Sequence, residues 1–218
     1  MSEKLDDLKE MVLTGDREDK VTILAQELIN EGAKVERILD EALIAAMDEA
    51  GRRFQEKEYF VPELIIAARA MDRALKVLKP LLEKSGAKSR GCLVLGTVRG
   101  DQHDIGKNLV AMMFKGAGFD VVDLGHDVNP DRFVEATREH KPDVIGMSAL
   151  LTTTMVNMEE VIKHLKDAGL RKDLLVIVGG APLNQKFADT IGADLYAATA
   201  PAAVASVRER LHDLRRGD

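Results

Sequence analysis

One short segment of this chain combines residue types that could hold a metal ion: Gly100-Asp101-Gln102-His103-Asp104-Ile105-Gly106-Lys107-Asn108. Imidazole is a common metal ligand, and a nearby carboxylate can accept a hydrogen bond from the ring nitrogen that does not bind the metal. The acidic residues could equally be helix N-caps, with the histidine only a loop residue ahead of a helix. Taken alone, the segment leaves both interpretations open.

Two further segments lie downstream, at the ends of predicted strands: Ser148-Ala149-Leu150 and Gly179-Gly180. In an open parallel sheet, ligands bind beyond the carboxyl ends of the strands. The segment with His103 follows the first predicted strand, and the other two close the third and fourth. We therefore expect all three segments on one edge of one sheet, as parts of a single binding site.

The elements that must position these segments alternate between strand and helix over residues 90–218. Most strand cores are continuous apolar runs, such as Leu174-Leu175-Val176-Ile177-Val178, which is typical of a parallel sheet covered on both faces. The pattern predicts an α/β domain with a flavodoxin-like (Rossmann-like), doubly wound, five-stranded parallel sheet. The predicted strands are 92–97, 120–124, 143–148, 174–178 and 194–198, and the predicted helices are 105–117, 130–140, 154–168, 184–191 and 200–215.

Residues 1–88 follow a different pattern, because apolar residues recur there at helical spacing, for example at Leu5, Leu8 and Val12. Amphipathic helices with short connections predict an N-terminal four-helix bundle. Ser85-Gly86-Ala87-Lys88-Ser89 has the composition of a linker. We therefore expect a helical bundle domain at 1–88 and a second domain, with the three segments, at 89–218.

Composition excludes several functional classes. The chain has 218 residues, a net charge of −6, 4% aromatic residues and no Trp, so neither a basic nucleic-acid surface nor a base-stacking platform is expected. Cys92 is the only cysteine, which excludes a cysteine-built iron–sulfur cluster or zinc site. The charged N-terminus lacks the apolar region of a signal peptide and no long apolar run occurs, so we expect a cytoplasmic protein without a membrane partner.

The three segments together resemble the signature of the cobalamin-binding domain of corrinoid methyltransferases: Asp-x-His-x-x-Gly, then Ser-x-Leu, then Gly-Gly. The intervals between the parts, 41 and 28 residues, also agree with this family. Residues 58–64, Glu-Tyr-Phe-Val-Pro-Glu-Leu, look like part of the helical domain that precedes it. The whole chain resembles a free-standing corrinoid protein of a methanogen or acetogen methyltransferase system, and its second domain is similar to the cobalamin-binding region of methionine synthase. The matching residues are Asp101, His103 and Gly106, then Ser148 and Leu150, then Gly179 and Gly180.

The resemblance implies a role for each matching residue. His103 would bind cobalt as the lower axial ligand in place of the cofactor's dimethylbenzimidazole, and Asp101 would hold its ring. Thr154, where the family often has Ser, would complete a proton relay with Asp101. Ser148 would hydrogen-bond the displaced base, and the glycines would leave room for its tail. The implied cofactor-binding set is Asp101, Gln102, His103, Asp104, Ile105, Gly106, Ser148, Leu150, Thr152, Thr153, Gly179 and Gly180.

The resemblance also implies a function. The chain would be a methyl carrier that is not catalytic alone and that uses cobalamin or a related corrinoid, as methylcobalamin or cob(I)alamin. A substrate-specific methyltransferase would load it, a second methyltransferase would pass the methyl group to tetrahydrofolate or a thiol, and a reductive activator could restore it. The alternatives are a cobalamin-dependent sensor and the cobalamin subunit of a radical isomerase. The methyl donor and the oligomeric state stay open.

Four other side chains have two interpretations each. Tyr59, Phe60 and Met71 could cover the upper face of the corrin, or they could belong to the core of the helical domain. His126, in the loop after the second predicted strand, could contact the corrin edge or be an exposed loop residue.

Overall fold

The computed structural model describes residues 2–15, 19–85, 89–172 and 174–216. The chain divides into two compact units: Met1–Arg90 with Lys115–Gly118, and Gly91–Phe114 with Phe119–Asp218. The centre of the predicted linker, residues 86–88, lies outside the described residues. No helix within the described ranges is long and apolar enough to cross a lipid bilayer.

The first unit is helical. Its core is made by the apolar stripes that the sequence predicts, with Leu8, Leu28, Leu43 and Leu64 all fully buried. The predicted third helix is one continuous run over residues 35–55, but its middle is π-helical, which a 3.6-residue periodicity does not reveal. The elements are α1 (Ser2–Thr14), α2 (Lys20–Asn30), α3 (Val35–Arg37), the π-helix (Ile38–Ile44), α4 (Ala45–Gln55) and α5 (Val61–Ser85).

The second unit contains a parallel sheet with strand order β2-β1-β3-β4-β5, the flavodoxin-like order. Its centre is apolar on both faces, and Val94, Ile145 and Val176 are fully buried. This confirms the predicted fold class. The strands are β1 (Cys92–Thr97), β2 (Asp120–Asp123), β3 (Val144–Ser148), β4 (Leu175–Gly179) and β5 (Leu195–Tyr196).

The register of the sheet brings the ends of the three central strands to one level. Thr97 at the end of β1 pairs with Ser148 of β3, and Ser148 pairs with Gly179 of β4. The three segments singled out in the sequence therefore begin side by side at the carboxyl edge. The strands that pair in this register are continuous apolar runs, which is typical of a parallel sheet covered on both faces.

Helices follow each strand and cover the sheet. The predicted helix over 154–168 begins earlier, at Thr152, and is divided at Val156; near its start the Thr154 hydroxyl donates to the Leu151 carbonyl at 3.0 Å. The helices of this unit are α6 (Ile105–Gly116), α7 (Pro130–His140), α8 (Thr152–Met155), α9 (Asn157–Asp167), α10 (Gln185–Ile191) and α11 (Ala200–Arg216).

Candidate functional site

Asp101 lies in the loop between β1 and α6, and it is fully buried. Its Oδ1 accepts a hydrogen bond from the backbone N–H of His103 at 3.0 Å and lies 2.8 Å from His103 Nδ1. Its Oδ2 accepts from the backbone N–H of Leu150 at 2.8 Å, from that of Leu151 at 3.3 Å and from the Thr154 hydroxyl at 2.6 Å. One carboxylate thus joins the loop after β1 to the loop after β3.

Hydrogen bonding decides the charge of Asp101. Burial alone raises the pKa of a carboxyl group, but the bonds from Thr154, His103 and Leu150 outweigh it and hold the pKa of Asp101 well below its usual range. The carboxylate is therefore ionised at neutral pH. An ionised carboxylate can only accept hydrogen bonds, so the contact with His103 requires an N–H at Nδ1.

Asp101 holds the His103 ring at Nδ1, and the other ring nitrogen, Nε2, stays accessible to a ligand. With the proton on Nδ1, the lone pair of the neutral imidazole lies on Nε2, and no described residue gives this atom a hydrogen-bond partner. Half of the side-chain surface is exposed (50%). A carboxylate behind an exposed imidazole fixes the ring and raises its basicity as a ligand, which is the arrangement of a metal-binding histidine.

Two residues that the sequence analysis missed also hold this loop. Thr97, fully buried at the end of β1, donates its hydroxyl to the carbonyl of His103 at 3.2 Å. Asp127, in the loop after β2, accepts from the N–H of Gly100 at 2.6 Å, and its own N–H donates to the Asp101 carbonyl at 3.0 Å. The signals available in the sequence were a polar residue at the end of an apolar strand, for Thr97, and an Asp in the turn-like segment between Gly125 and Asn129-Pro130, for Asp127.

The glycines of the site differ in what they permit. A Cβ on Gly106, at the start of α6, would meet nothing within 4 Å, so the space above this turn is open. A Cβ on Gly180 would lie 1.8 Å from the Ala149 carbonyl oxygen, and its φ is +136°. A Cβ on Gly179 would lie 3.1 Å from the Ala197 carbonyl oxygen. Gly180 is therefore required for close approach of two loops of the protein itself, whereas Gly106 leaves room that a ligand can use.

The remaining predicted cofactor contacts surround His103. Ser148, half-buried, ends β3, and Asp104 accepts from the side-chain amide of Asn108 at 3.1 Å. Exposed apolar side chains border the same loops, at Ile105 (79%) and Leu150 (44%). The other exposed members of the set are Gln102, Thr152 and Thr153.

The four side chains that could either contact the corrin or serve elsewhere differ in their exposure. Met71 is buried in the core of the helical unit. Tyr59 donates its hydroxyl to the Leu13 carbonyl at 3.2 Å, and its ring lies under the Arg53 guanidinium. Phe60 is exposed (63%), and so is His126. Met71 and Tyr59 are thus engaged within the helical unit, and Phe60 and His126 are accessible.

Comparison with known proteins decides the family. A family model described as a B12 binding domain matches residues 91–207, and a second model with the same description matches residues 4–79. The chain is 45% identical over 195 residues to the trimethylamine corrinoid protein of Methanosarcina barkeri, across 87% of this chain and 90% of the relative. The chain belongs to the corrinoid proteins. The resemblance predicted from the three segments is confirmed.

Other corrinoid proteins and solved structures agree with this assignment. The dimethylamine corrinoid protein 1 of Methanosarcina acetivorans is 46% identical over 175 residues, covering 80% of this corrinoid protein and 82% of the relative. The methanol:cobalamin methyltransferase complex of Methanosarcina barkeri matches with a TM-score of 0.84 and 31% identity, over 96% of this chain and 79% of that chain. A cobalamin-binding protein from Desulfitobacterium hafniense matches with a TM-score of 0.78 and 32% identity, over 94% and 97%.

The residues present fit a corrinoid. A corrin ring supplies its own nitrogen donors to cobalt, so a single donor from the protein would be enough to hold the metal. The free Nε2 of His103 provides one such donor, in its neutral form, with the open space at Gly106 close to it in sequence. Exposed apolar side chains at Ile105 and Leu150 suit the largely apolar ring.

Proposed function

We propose that this corrinoid protein is a methyl carrier, which accepts a methyl group on bound cobalamin or a related corrinoid from one methyltransferase and delivers it to another. The observation that carries the proposal is the buried, ionised Asp101 carboxylate, which holds His103 at Nδ1 and leaves Nε2 available. Membership of the corrinoid proteins gives the class of cofactor.

His103 is the proposed lower ligand of cobalt, in place of the cofactor's own base. The bound corrinoid would supply the cobalt that carries the methyl group. The open space at Gly106 supports a path for the displaced base and its tail past the start of α6. Ser148, Gly179 and the exposed residues Gln102, Thr152 and Thr153 are proposed to line or border that path.

The protein's own part in turnover is to hold His103 and to manage its proton. The anionic Asp101 accepts from the Nδ1–H of His103 at 2.8 Å, so it holds the ring proton at that nitrogen and leaves Nε2 as the atom that can face a metal. The Thr154 hydroxyl, 2.6 Å from Asp101 Oδ2, is the proposed next group in the relay. Threonine keeps the hydroxyl that this relay needs.

The proposed partners are two methyltransferases and a reductive activator. The relatives named for trimethylamine and dimethylamine, and the structural match to a methanol:cobalamin methyltransferase complex, support a small methylated amine or alcohol as the methyl donor. The second methyltransferase would pass the group to tetrahydrofolate or a thiol. Donor specificity would then belong to the methyltransferase that loads the carrier, and the carrier need not encode it.

The test is reconstitution with hydroxocobalamin, followed by desalting and an absorption spectrum. Wild type should retain corrinoid with a histidine-ligated spectrum, and His103→Ala should lose that spectrum. His212→Ala is the matched control, because it removes an exposed histidine of α11, which is not among the proposed site residues, and should leave the spectrum unchanged. Loaded wild type, once a chemical reductant such as Ti(III) citrate has brought its cobalt to the cob(I)alamin state, should then accept a methyl group from a methylamine or methanol in the presence of the matching methyltransferase.

Two results would refute the proposal. One is folded wild type that retains no corrinoid after desalting. The other is retained corrinoid with the same spectrum in wild type and His103→Ala, which would remove the ligand assignment.

A further inference from the structure

Lys107 is the least expected side chain near the site, because only 2% of its surface is exposed. Lysine is almost never fully buried unless its charge is paired. It lies one helical turn after His103, in the first turn of α6. The proposed methyl transfer gives it no role.

The Lys107 ammonium is enclosed by a chain of polar contacts. Its Nζ lies 2.6 and 2.5 Å from the two carboxylate oxygens of Asp123, at the end of β2, and donates to Asn108 Oδ1 at 2.7 Å. Asn108 in turn donates to the Asp104 carboxylate at 3.1 Å. Asp123 also accepts from the N–H of Gly125 at 2.9 Å. The contacts therefore run from β2 to the residue that follows His103.

Stability alone does not explain this ion pair. Moving a charge out of water is costly, and an apolar pair of similar size is often as stable or more stable. The first turn of a helix also disfavours a cation, because the backbone N–H groups there already carry partial positive charge. Lys107 is buried in spite of both effects. What the pair provides is a fixed geometry between the end of β2 and the start of α6.

We propose that the Lys107–Asp123 ion pair is a positioning device for His103, which sets the fraction of bound corrinoid that the histidine ligates. The pair fixes the first turn of α6, and Asn108 and Asp104 extend that constraint to the loop itself. Lys107 acts through the loop and does not contact the cofactor. This inference rests on the proposed function, because it assumes His103 as the ligand.

The experiment removes both charges together, in the variant Lys107→Met with Asp123→Asn, so that no unpaired charge is left buried. The amide introduced by Asp123→Asn retains an oxygen for the Gly125 N–H. Uniformly 15N-labelled protein is loaded with unlabelled cobalamin and reduced to the cob(II)alamin state, and its electron paramagnetic resonance spectrum is recorded. A 15N ligand from the protein splits each cobalt line into a doublet, and the cofactor's own 14N base splits it into a triplet.

The expected result is a doublet in wild type and a loss of doublet intensity in the double variant. The equilibrium constant for histidine ligation should fall by about tenfold, the lower end of what removal of an outer support costs at a metal site. The matched control is Arg171→Met with Asp194→Asn, which removes a second partly buried ion pair of the same unit, at the N-terminal ends of β4 and β5 and so at the edge of the sheet away from His103. This control should leave the doublet unchanged.

The outcomes separate the two proposals. A triplet in wild type contradicts histidine ligation and therefore the proposed function. A doublet of equal intensity in wild type and the double variant overturns the positioning role alone, and so does an equal loss in the Arg171 control. If the double variant does not fold, Asn108→Ala tests the same connection, because it keeps the ion pair and removes the side-chain bonds that join Lys107 to the Asp104 carboxylate. An unchanged doublet in that variant overturns the inference as well.

Discussion

The Asp101 carboxylate both stabilises the fold and orients the proposed ligand His103. It accepts hydrogen bonds from the loop after β1 through Oδ1 and from the loop after β3 through Oδ2. The same oxygen that accepts the backbone N–H of His103 also fixes its imidazole. Any change at this residue therefore affects both the stability of the fold and the position of the proposed ligand.

The dependence of the free energy of unfolding on pH should show the contribution of the Asp101 carboxylate. Its pKa is held well below the unfolded value, so it stabilises the fold above that value, about 3.9, and the contribution is lost as pH falls towards the folded pKa. Asp101→Asn should lower the free energy of unfolding by about 2 kcal/mol at pH 7, and the difference from wild type should shrink below about pH 4. Urea denaturation over this pH range measures it.

Thr154→Val is the informative companion variant, because it removes one hydrogen bond and keeps the carboxylate. The pKa of Asp101 should then rise, so the loss of stability on acidification should begin at higher pH than in wild type. Thr154→Ser should behave as wild type. An acid limb that is the same in all four proteins would contradict the assigned charge state.

The sequence identified most of the residues of the candidate site, but not all of their supports. His103, Asp101 and Thr154 follow from motif spacing, and the structure brings them together. Asp127 and Lys107 do not follow from it, since their partners, Gly100 and Asp123, lie 27 and 16 residues away in the chain and become neighbours only when the sheet forms. A contact of this kind has no local periodicity to indicate it.

At the scale of elements, the register of the sheet assembles the site. The paired ends of β1, β3 and β4 place three loops at one level, and the loops then bond to one another through Asp101. The apolar runs predicted both ends of each of these strands to within two residues. The π-helix and the division of the helix at Val156 were not predicted, because an apolar periodicity of 3.6 residues reveals neither of them.

Two glycine substitutions should have opposite consequences. Gly180→Ala places a methyl group against the Ala149 carbonyl at a positive φ, and should lower the free energy of unfolding by about 2–4 kcal/mol. Gly106→Ala has open space for its methyl group and should keep or slightly raise stability, by up to about 1 kcal/mol. Its corrinoid affinity should fall by at least about fivefold, because the methyl group enters the proposed path of the cofactor tail.

Denaturation of the unloaded protein and corrinoid titration measure the two effects separately. The prediction fails if Gly106→Ala binds corrinoid as wild type does, or if Gly180→Ala is as stable as wild type. If Gly106→Ala loses both its stability and its corrinoid affinity, this would instead indicate a structural role for that glycine.

At the scale of the whole molecule, the chain combines a helical unit and an α/β unit under a net charge of −6. The predicted fold class is confirmed for both. The two family matches, at residues 4–79 and 91–207, show that each unit has counterparts among corrinoid proteins. The acidic charge fits a protein whose proposed partners are other proteins rather than nucleic acid.

Corrinoid binding should raise the thermal stability of the full chain. At a free concentration of hydroxocobalamin 100-fold above Kd, the stabilisation is about 2.7 kcal/mol, which corresponds to roughly 5–10 °C in Tm for a chain of this size. His103→Ala should show a smaller increase, because one bond to the cofactor is lost. Differential scanning calorimetry with and without corrinoid tests this, and an equal increase in both proteins would contradict a bond from His103.

The anchoring of His103 by Asp101 and Thr97 exists in the polypeptide itself. The conformational entropy of the loop is therefore lost when the chain folds, and little remains to be lost when the cofactor arrives. We therefore expect the receiving loop to change little when the corrinoid is captured or released. A protein molecule that has lost its cofactor stays ready for a fresh one, and can be recharged without refolding.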